Sequence, residues 1–303
     1  MSLKWSQEEI SFLKENYKKK TYAQLSKEMN RSKNAISLKI NQLGLKKSKY
    51  TYNHTYFKNI DTPNKAYWLG FIAADGNVSV NPETNSGEIK IILQAKDGNH
   101  LQKFNKSLNG NVEIKYGKRQ CNLNGKIYSF SQIRLYSIEM ANDLISYGII
   151  PNKTFNLKFP SLNTSLIPHF IRGYFDGDGC ITRNKRKNAI YDIKCDFTSA
   201  DLNFLAELRK NLYENDIKSY FCICQNNIPK LVIGGMHNVD KFLNYIYKDA
   251  TLYLDRKYNR KNELYKSLNI EQRLLRQSKR ADFLLSEKET GEAEMPIRVE
   301  GYI

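Results

Sequence analysis

The 303-residue sequence predicts an α+β fold in which an αββαββα unit occurs twice, related by a pseudo-two-fold axis and preceded by a small three-helix domain. Three observations predict it. A nine-residue stretch occurs twice, WLGFIAADG over 68–76 and IRGYFDGDG over 171–179, each an apolar helix-like run ending in Asp-Gly. The same order of helical and alternating patterns follows each copy. Before the first copy, a lysine-rich segment carries three short amphipathic periods.

The repeated stretch organises the rest. Each copy has small residues four apart, Gly70 and Ala74, then Gly173 and Gly177. Positions i and i+4 share one helix face, so the backbone of another helix can come close there. Copies packed through these faces bring Asp75 and Asp178 together. Two adjacent carboxylates repel unless a cation lies between them, which makes the pair a candidate divalent-metal site.

These residues resemble the LAGLIDADG homing endonucleases, in the form with two motifs in one chain, over roughly Ala66 to Asn262. The resemblance implies duplicated homing-endonuclease domains, with a first repeat over 66–160 and a second over 161–266. It implies a site-specific double-strand DNA endonuclease that hydrolyses phosphodiester bonds with Mg2+ (or Mn2+) and leaves short 3′ overhangs. Asp75 and Asp178 are the implied metal ligands, with the carbonyls of Ala74 and Gly177 as co-ligands. Oxygen donors of this kind suit magnesium.

Composition agrees with a polyanionic partner. Lys and Arg number 48 against 31 Asp and Glu, a net charge of +17, which fits nucleic acid or an anionic membrane surface; the resemblance implies double-stranded DNA. No apolar run is long enough to span a bilayer, and MSLKWSQEE lacks a signal-peptide core, so the expected setting is cytoplasmic, in a bacterial or phage-infected cell or an organelle. The five cysteines form no CxxC pair and the four histidines are scattered, which disfavours zinc. Internal duplication makes a monomer the expected state.

Taken in order, residues 1–47 predict three helices. Ser6 with Glu9 three residues on is a capping box. Tyr22 to Met29 is a second helix. Asn30-Arg31-Ser32 is a tight turn, and Ser32 caps a third helix that Gly44 stops. This resembles a helix-turn-helix of the Myb or homeodomain-like kind, whose last helix enters the major groove. Lys33, Asn34, Ser37, Lys39 and Asn41 are its candidate DNA contacts. Residues 48–65 read as a basic linker, equally a solvated tether or a segment tracking phosphates.

In the first repeat, Ile89-Ile91-Leu93 alternate with polar neighbours, a half-buried strand. Asn99 to Leu108 is a helix, Val112 to Tyr116 and Ile127 to Tyr136 are strands, and Ile138 to Tyr147 is a helix. The second repeat reads as strands Ile181 to Arg183 and Tyr191 to Phe197, helix Asp201 to Asn211, strands Tyr220 to Gln225 and Leu231 to Ile233, and helix Val239 to Tyr247. IKIILQAKD (89–97) aligns with IKCDFTSAD (193–201), which pairs Gln94 with Thr198 and Asp97 with Asp201. Residues 267–303 read as a basic helix, Ile270 to Leu285, and a flexible tail.

By the resemblance, the two sheets straddle the major grooves with polar faces toward DNA. Those faces would carry Lys90, Gln94, Lys115, Arg119, Gln132 and Arg134, then Arg183, Lys185, Arg186, Lys194 and Thr198. The lysine some family members place at the start of each repeat's last helix is absent, where Ile138 and Met236 stand. Lys153 and Lys257 follow the repeats at matching offsets, 153 − 75 = 78 and 257 − 178 = 79, and are the candidate catalytic bases or phosphate contacts. Gln94 is a candidate for orienting water. Asp176 is not counted as catalytic, since the first repeat has Ala73 there. A non-cleaving transcriptional regulator and an RNA maturase share such a scaffold and are the alternative readings.

Overall fold

In the computed structural model the described residues are 4–17, 20–45, 50–121, 125–151, 156–185, 191–223 and 228–268. Lys153, Arg186 and the basic helix expected over 270–285 lie outside them. The chain forms two compact units, one of residues up to Asn53 with Asn109–Val112, the other of the remainder.

The first unit holds α1 (Gln7–Asn16), α2 (Tyr22–Glu28) and α3 (Lys33–Gln42). Its caps follow from local chemistry. Ser6 and Glu9 form the expected capping box, and Thr21 with Gln24 forms a second. Asn30 turns the chain at φ 49° and Gly44 ends α3 at φ 66°. Glu9 serves twice, because both of its carboxylate oxygens also accept from Arg31, at 2.9 and 3.0 Å. The Arg31 guanidinium in turn covers the Trp5 ring. Leu13, Leu25, Ile36 and Ile40 close the core. On α3, Lys33, Asn34 and Asn41 are exposed, Ser37 and Lys39 half-buried, and Leu38 is exposed beside them.

The second unit contains the duplication. The first repeat runs α4 (Pro63–Asp75), β1 (Gly76–Asn81), β2 (Ser86–Gln94), α5 (Gly98–Ser107), β3 (Lys115–Gln120), β4 (Ile127–Tyr136) and α6 (Ile138–Ser146). The second runs α7 (Ile167–Asp178), β5 (Gly179–Lys185), β6 (Tyr191–Thr198), α8 (Leu202–Glu214), β7 (Tyr220–Ile223), β8 (Pro229–Gly234) and α9 (Met236–Tyr247). Each is αββαββα, and each sheet is antiparallel, in the orders β1-β2-β4-β3 and β5-β6-β8-β7. A further helix, α10 (Asp255–Leu268), follows the second repeat. Among the described residues no helix is long and apolar enough to cross a membrane.

Three details depart from the sequence reading. β1 starts directly at Gly76, with Val78 as its buried contact; Val78 and Val80 alternate with Asn77, Ser79 and Asn81, but over only two apolar positions. The third strand begins at Lys115, not Val112, since Val112 is tucked inward ahead of it. α10 has no counterpart among the expected elements, because half of its residues are charged and its apolar positions are few, yet Leu264 is buried.

Alternation divides each sheet into a core face and an outer face. Ile89, Ile91, Ile133 and Leu135 point inward against α5 and α6. Between the repeats, α4 and α7 pack backbone to backbone. A Cβ at Gly70 would overlap the carbonyl oxygen of Phe170 and lie 2.9 Å from the Tyr174 amide nitrogen. A Cβ at Gly173 would overlap the carbonyl oxygen of Tyr67 and lie 2.8 Å from the Phe71 amide nitrogen. The contact is reciprocal at one constant offset, since 173 − 70, 170 − 67 and 174 − 71 are all 103.

This contact reverses the usual helix preference. Glycine to alanine inside a helix normally stabilises by about 1 kcal/mol. Gly70→Ala and Gly173→Ala should each destabilise the protein by about 3 kcal/mol, because the new methyl meets backbone that cannot yield. Urea denaturation of the two variants measures this, and a neutral or stabilised variant would contradict the packing.

Candidate active site

α4 and α7 end in the same way. Asp75 and Asp178 are the last helical residues, and Gly76 and Gly179 turn at once into extended backbone, with ψ of 154° and 162°. A side chain at either glycine would strike its own helix: a Cβ on Gly76 comes 2.6 Å from Ile72 Cγ2, and one on Gly179 comes 2.6 Å from the Phe175 carbonyl oxygen. The glycine after each aspartate is therefore a steric requirement of passing from helix to strand without a loop.

The small-residue faces bring these ends together. A Cβ on Gly177 would overlap Cβ of Ala74 and lie 3.3 Å from Oδ2 of Asp75. Asp75 is half-buried, and Asp178 is exposed. Ala74 and Gly177 are both half-buried in the same seam. Among the described residues, no three His, Cys, Asp or Glu side chains gather into a metal cluster. The oxygen donors at these helix ends are the carboxylates of Asp75 and Asp178 and neighbouring backbone carbonyls. That set suits a hard divalent cation which takes its remaining ligands from water or a substrate oxygen.

Lys257 is brought to this end of α7, but not as an open side chain. It is 7% exposed and its ammonium donates to the carbonyls of Phe175, at 3.2 Å, and of Gly179. These are the carbonyls on either side of Asp178, where the negative end of the helix dipole favours a cation. Burial holds the Lys257 pKa below the ordinary lysine value, while Asp176, Cys180 and Asp75 act to raise it. Arg256, Lys257, Arg260 and Glu263 of α10 line a cleft against Gly179, Cys180 and Ile181.

The strand register sorts the remaining residues. Lys90 pairs with Arg134, Gln132 with both Ile92 and Lys115, and Arg119 with Tyr128, so Lys90, Gln94, Lys115, Arg119, Gln132 and Arg134 share one outer face. Glu88 on that face pairs with Arg134 at 3.4 Å. In the second sheet, Thr182, Lys194, Thr198 and Lys230 share the outer face, with Lys230 held to Asp196 at 3.2 Å. Arg183 is corrected: it pairs with Ile193, on the parity of the core residues Ile181 and Cys195, and the Lys185 side chain lies outside the described residues. Lys230 escapes sequence reasoning, hidden behind Pro229 in a short strand. Gln94 and Thr198 end equivalent strands, as aligned, and Asp201 caps α8 through the amides of Asn203 and Phe204.

Behind the seam lies a polar network that sequence reasoning does not reveal. Asp176 is fully buried and accepts from Tyr67 Oη at 2.7 Å, from Tyr247 Oη and from the Leu254 amide at 2.7 Å. Arg172, also buried, donates to the carbonyls of Leu252 and Ile246 at 2.9 and 2.8 Å. Tyr67 Oη lies 3.0 Å from His100 Nε2. Since Tyr67 donates to Asp176, His100 Nε2 carries the proton, and its Nδ1 has no partner among the described residues. The available signal was Arg172 and Asp176, four apart in an otherwise apolar helix.

Residues 166–247 match a family model described as a LAGLIDADG-like domain. No curated protein matches the chain. Among solved structures, the chain is similar to the I-LtrWI LAGLIDADG homing endonuclease bound to target DNA, at 12% identity over 74% of this chain and 92% of that one, TM-score 0.48. It is similar to the LAGLIDADG meganuclease I-AabMI bound to uncleaved DNA, at 16% identity over 68% and 92%, TM-score 0.45. It is also similar to the N-terminal LAGLIDADG domain of DUF199/WhiA, at 20% identity over 66% and 90%, TM-score 0.41. The residues matched by the family model hold the second repeat from α7 to α9, and the first repeat has the same order of elements and the same strand order.

Burial lowers the His100 pKa from 6.5 to about 3. The unfolded chain therefore binds an extra proton below pH 6.5, and stability falls as pH falls through that window, by up to about 1.4 kcal/mol per pH unit. His100→Phe should remove that slope relative to the parent protein. Urea midpoints between pH 7 and 4 test it, and parallel curves would show that His100 is not buried neutral.

Proposed function

We propose that this protein is a site-specific, metal-dependent double-strand DNA endonuclease. The observation that carries the reading is the pair Asp75 and Asp178, held at abutting helix ends in a chain whose first sheet presents a row of Lys, Arg and Gln side chains. Fold alone does not give activity; the paired carboxylates are what a phosphodiester hydrolase needs.

In this reading Asp75 and Asp178 would hold Mg2+ or Mn2+, with backbone oxygens of Ala74 and Gly177 contributing. The cation supplies Lewis acidity toward the phosphate and the departing oxygen. The chain supplies the rest. Lys257, with Lys153 as the first-repeat counterpart, adds positive charge near the scissile phosphates. Gln94 and Thr198 hold water. A water oxygen bonds to phosphorus as the bond to the 3′ oxygen breaks, and that oxygen takes up the proton, leaving 5′-phosphate and 3′-hydroxyl ends. Each aspartate serves one strand, and cuts offset across the minor groove leave short 3′ overhangs.

The outer-face residues Lys90, Lys115, Arg119, Gln132, Arg134, Lys194, Thr198 and Lys230 would contact phosphates and base edges. The α3 residues Lys33, Asn34, Ser37, Lys39 and Asn41 would extend the contact, in the manner of a helix-turn-helix. The working form is a monomer.

A duplex selected by the protein from a randomised pool, cloned into a supercoiled plasmid, provides the substrate. Asp75→Asn and Asp178→Asn should each lower double-strand cleavage with magnesium by about a hundredfold or more while leaving binding intact. A parent protein that binds the duplex and never cuts it would make this a DNA-binding regulator instead. Deleting residues 1–47 should weaken binding and reduce the salt dependence, by roughly 0.9 in log–log slope for each phosphate no longer neutralised. An unchanged slope would assign that unit to another partner.

A further inference from the structure

The buried carboxylate of Asp176 has no counterpart in the first repeat. The offset of 103 places Ala73 there, since 176 − 103 = 73, and alanine offers no acceptor. Asp176 accepts three hydrogen bonds, and only one of them comes from a backbone amide, that of Leu254. Leu254 is the residue on which α10 starts, because its carbonyl accepts from the amides of Lys257 and Tyr258 at 2.9 and 3.1 Å. The first turn of α10 then delivers the Lys257 ammonium to the Phe175 and Gly179 carbonyls, on either side of Asp178. The contacts form a closed loop: Asp176 holds Leu254, Leu254 starts α10, and Lys257 returns to α7 one residue to each side of Asp176 and Asp178.

We propose that Asp176 is a positioning residue, which fixes the start of α10 so that Lys257 stands at the Asp178 end of α7, and that it does so in one half of the site only. Asp97 reinforces the arrangement from the first repeat, where its carboxylate meets Arg256 at 3.2 Å, and Lys103 meets Asp255 at 2.7 Å. The consequence rests on the nuclease reading above. Cleavage of the two strands depends on Asp176 unequally.

Asp176→Asn is nearly isosteric and tests this in the full chain, on the supercoiled plasmid carrying the selected duplex. One strand should be cut about tenfold more slowly and the other within twofold of the parent, so that nicked circles accumulate. Hydrogen exchange at the amides of 254–258 should rise. On a Lys257→Met background, Asp176→Asn should add less than twofold, since both act through one lysine. Equal slowing of both strands, no slowing, or a full additional effect on the Lys257→Met background would overturn the proposal. If the parent protein cuts neither strand with magnesium or manganese, the nuclease reading fails by itself. Exchange at 254–258 then decides the positioning role: unchanged protection in Asp176→Asn overturns it, and diminished protection sustains it.

Discussion

The structure depends on one contact, the approach of α4 to α7 closely enough that neither Gly70 nor Gly173 has room for a Cβ. Each glycine lies against a carbonyl oxygen of the opposite helix, and both contacts obey the same offset of 103. Dispersion at this separation is short-ranged, so the contact tolerates little expansion. It also sets where the helices end relative to each other. Because Asp75 and Asp178 are the last residues of those helices, the spacing of the acidic pair follows from the spacing of the glycines.

Around that contact the two repeats are alike in outline and unlike in detail. The strand orders agree, and so do the positions of Gln94 and Thr198 at equivalent strand ends. The outer faces differ. The first carries a row of long polar side chains across three strands. The second has Lys194 and a Lys230 already occupied by Asp196. The network of Tyr67, Asp176, Arg172 and Tyr247 is likewise one-sided, since it draws on both repeats but returns to the end of α7 alone.

Much of this was legible in the residues. The repeated Asp-Gly stretches and their small-residue faces located the seam, and the capping box at Ser6 located the start of α1. Period-two alternation over 88–94 put Lys90 and Gln94 on the face away from the core, as the strand register has them. What failed did so for physical reasons. Arg183 was read by charge, but it stands two residues from Ile181 and so shares the parity of the core residues. α10 buries few aliphatic side chains, Leu264 among them, and sets Lys257 on carbonyls at a position where periodicity expects an apolar residue. Asp176 and Arg172 offered only their spacing as a signal, because the groups that satisfy them come from distant segments, at 67, 246–247 and 252–254.

A duplicated chain usually lets its halves drift apart, each free to change as long as it still folds. Here that freedom stops at the seam. The glycine in one half makes room for a carbonyl in the other, so a bulkier residue at either position could be relieved only by retreat of the opposite helix. Neither half could be traded for an unrelated domain, or expressed by itself, without exposing a groove shaped for its twin. The two copies keep complementary shapes at the seam even where their sequences do not agree.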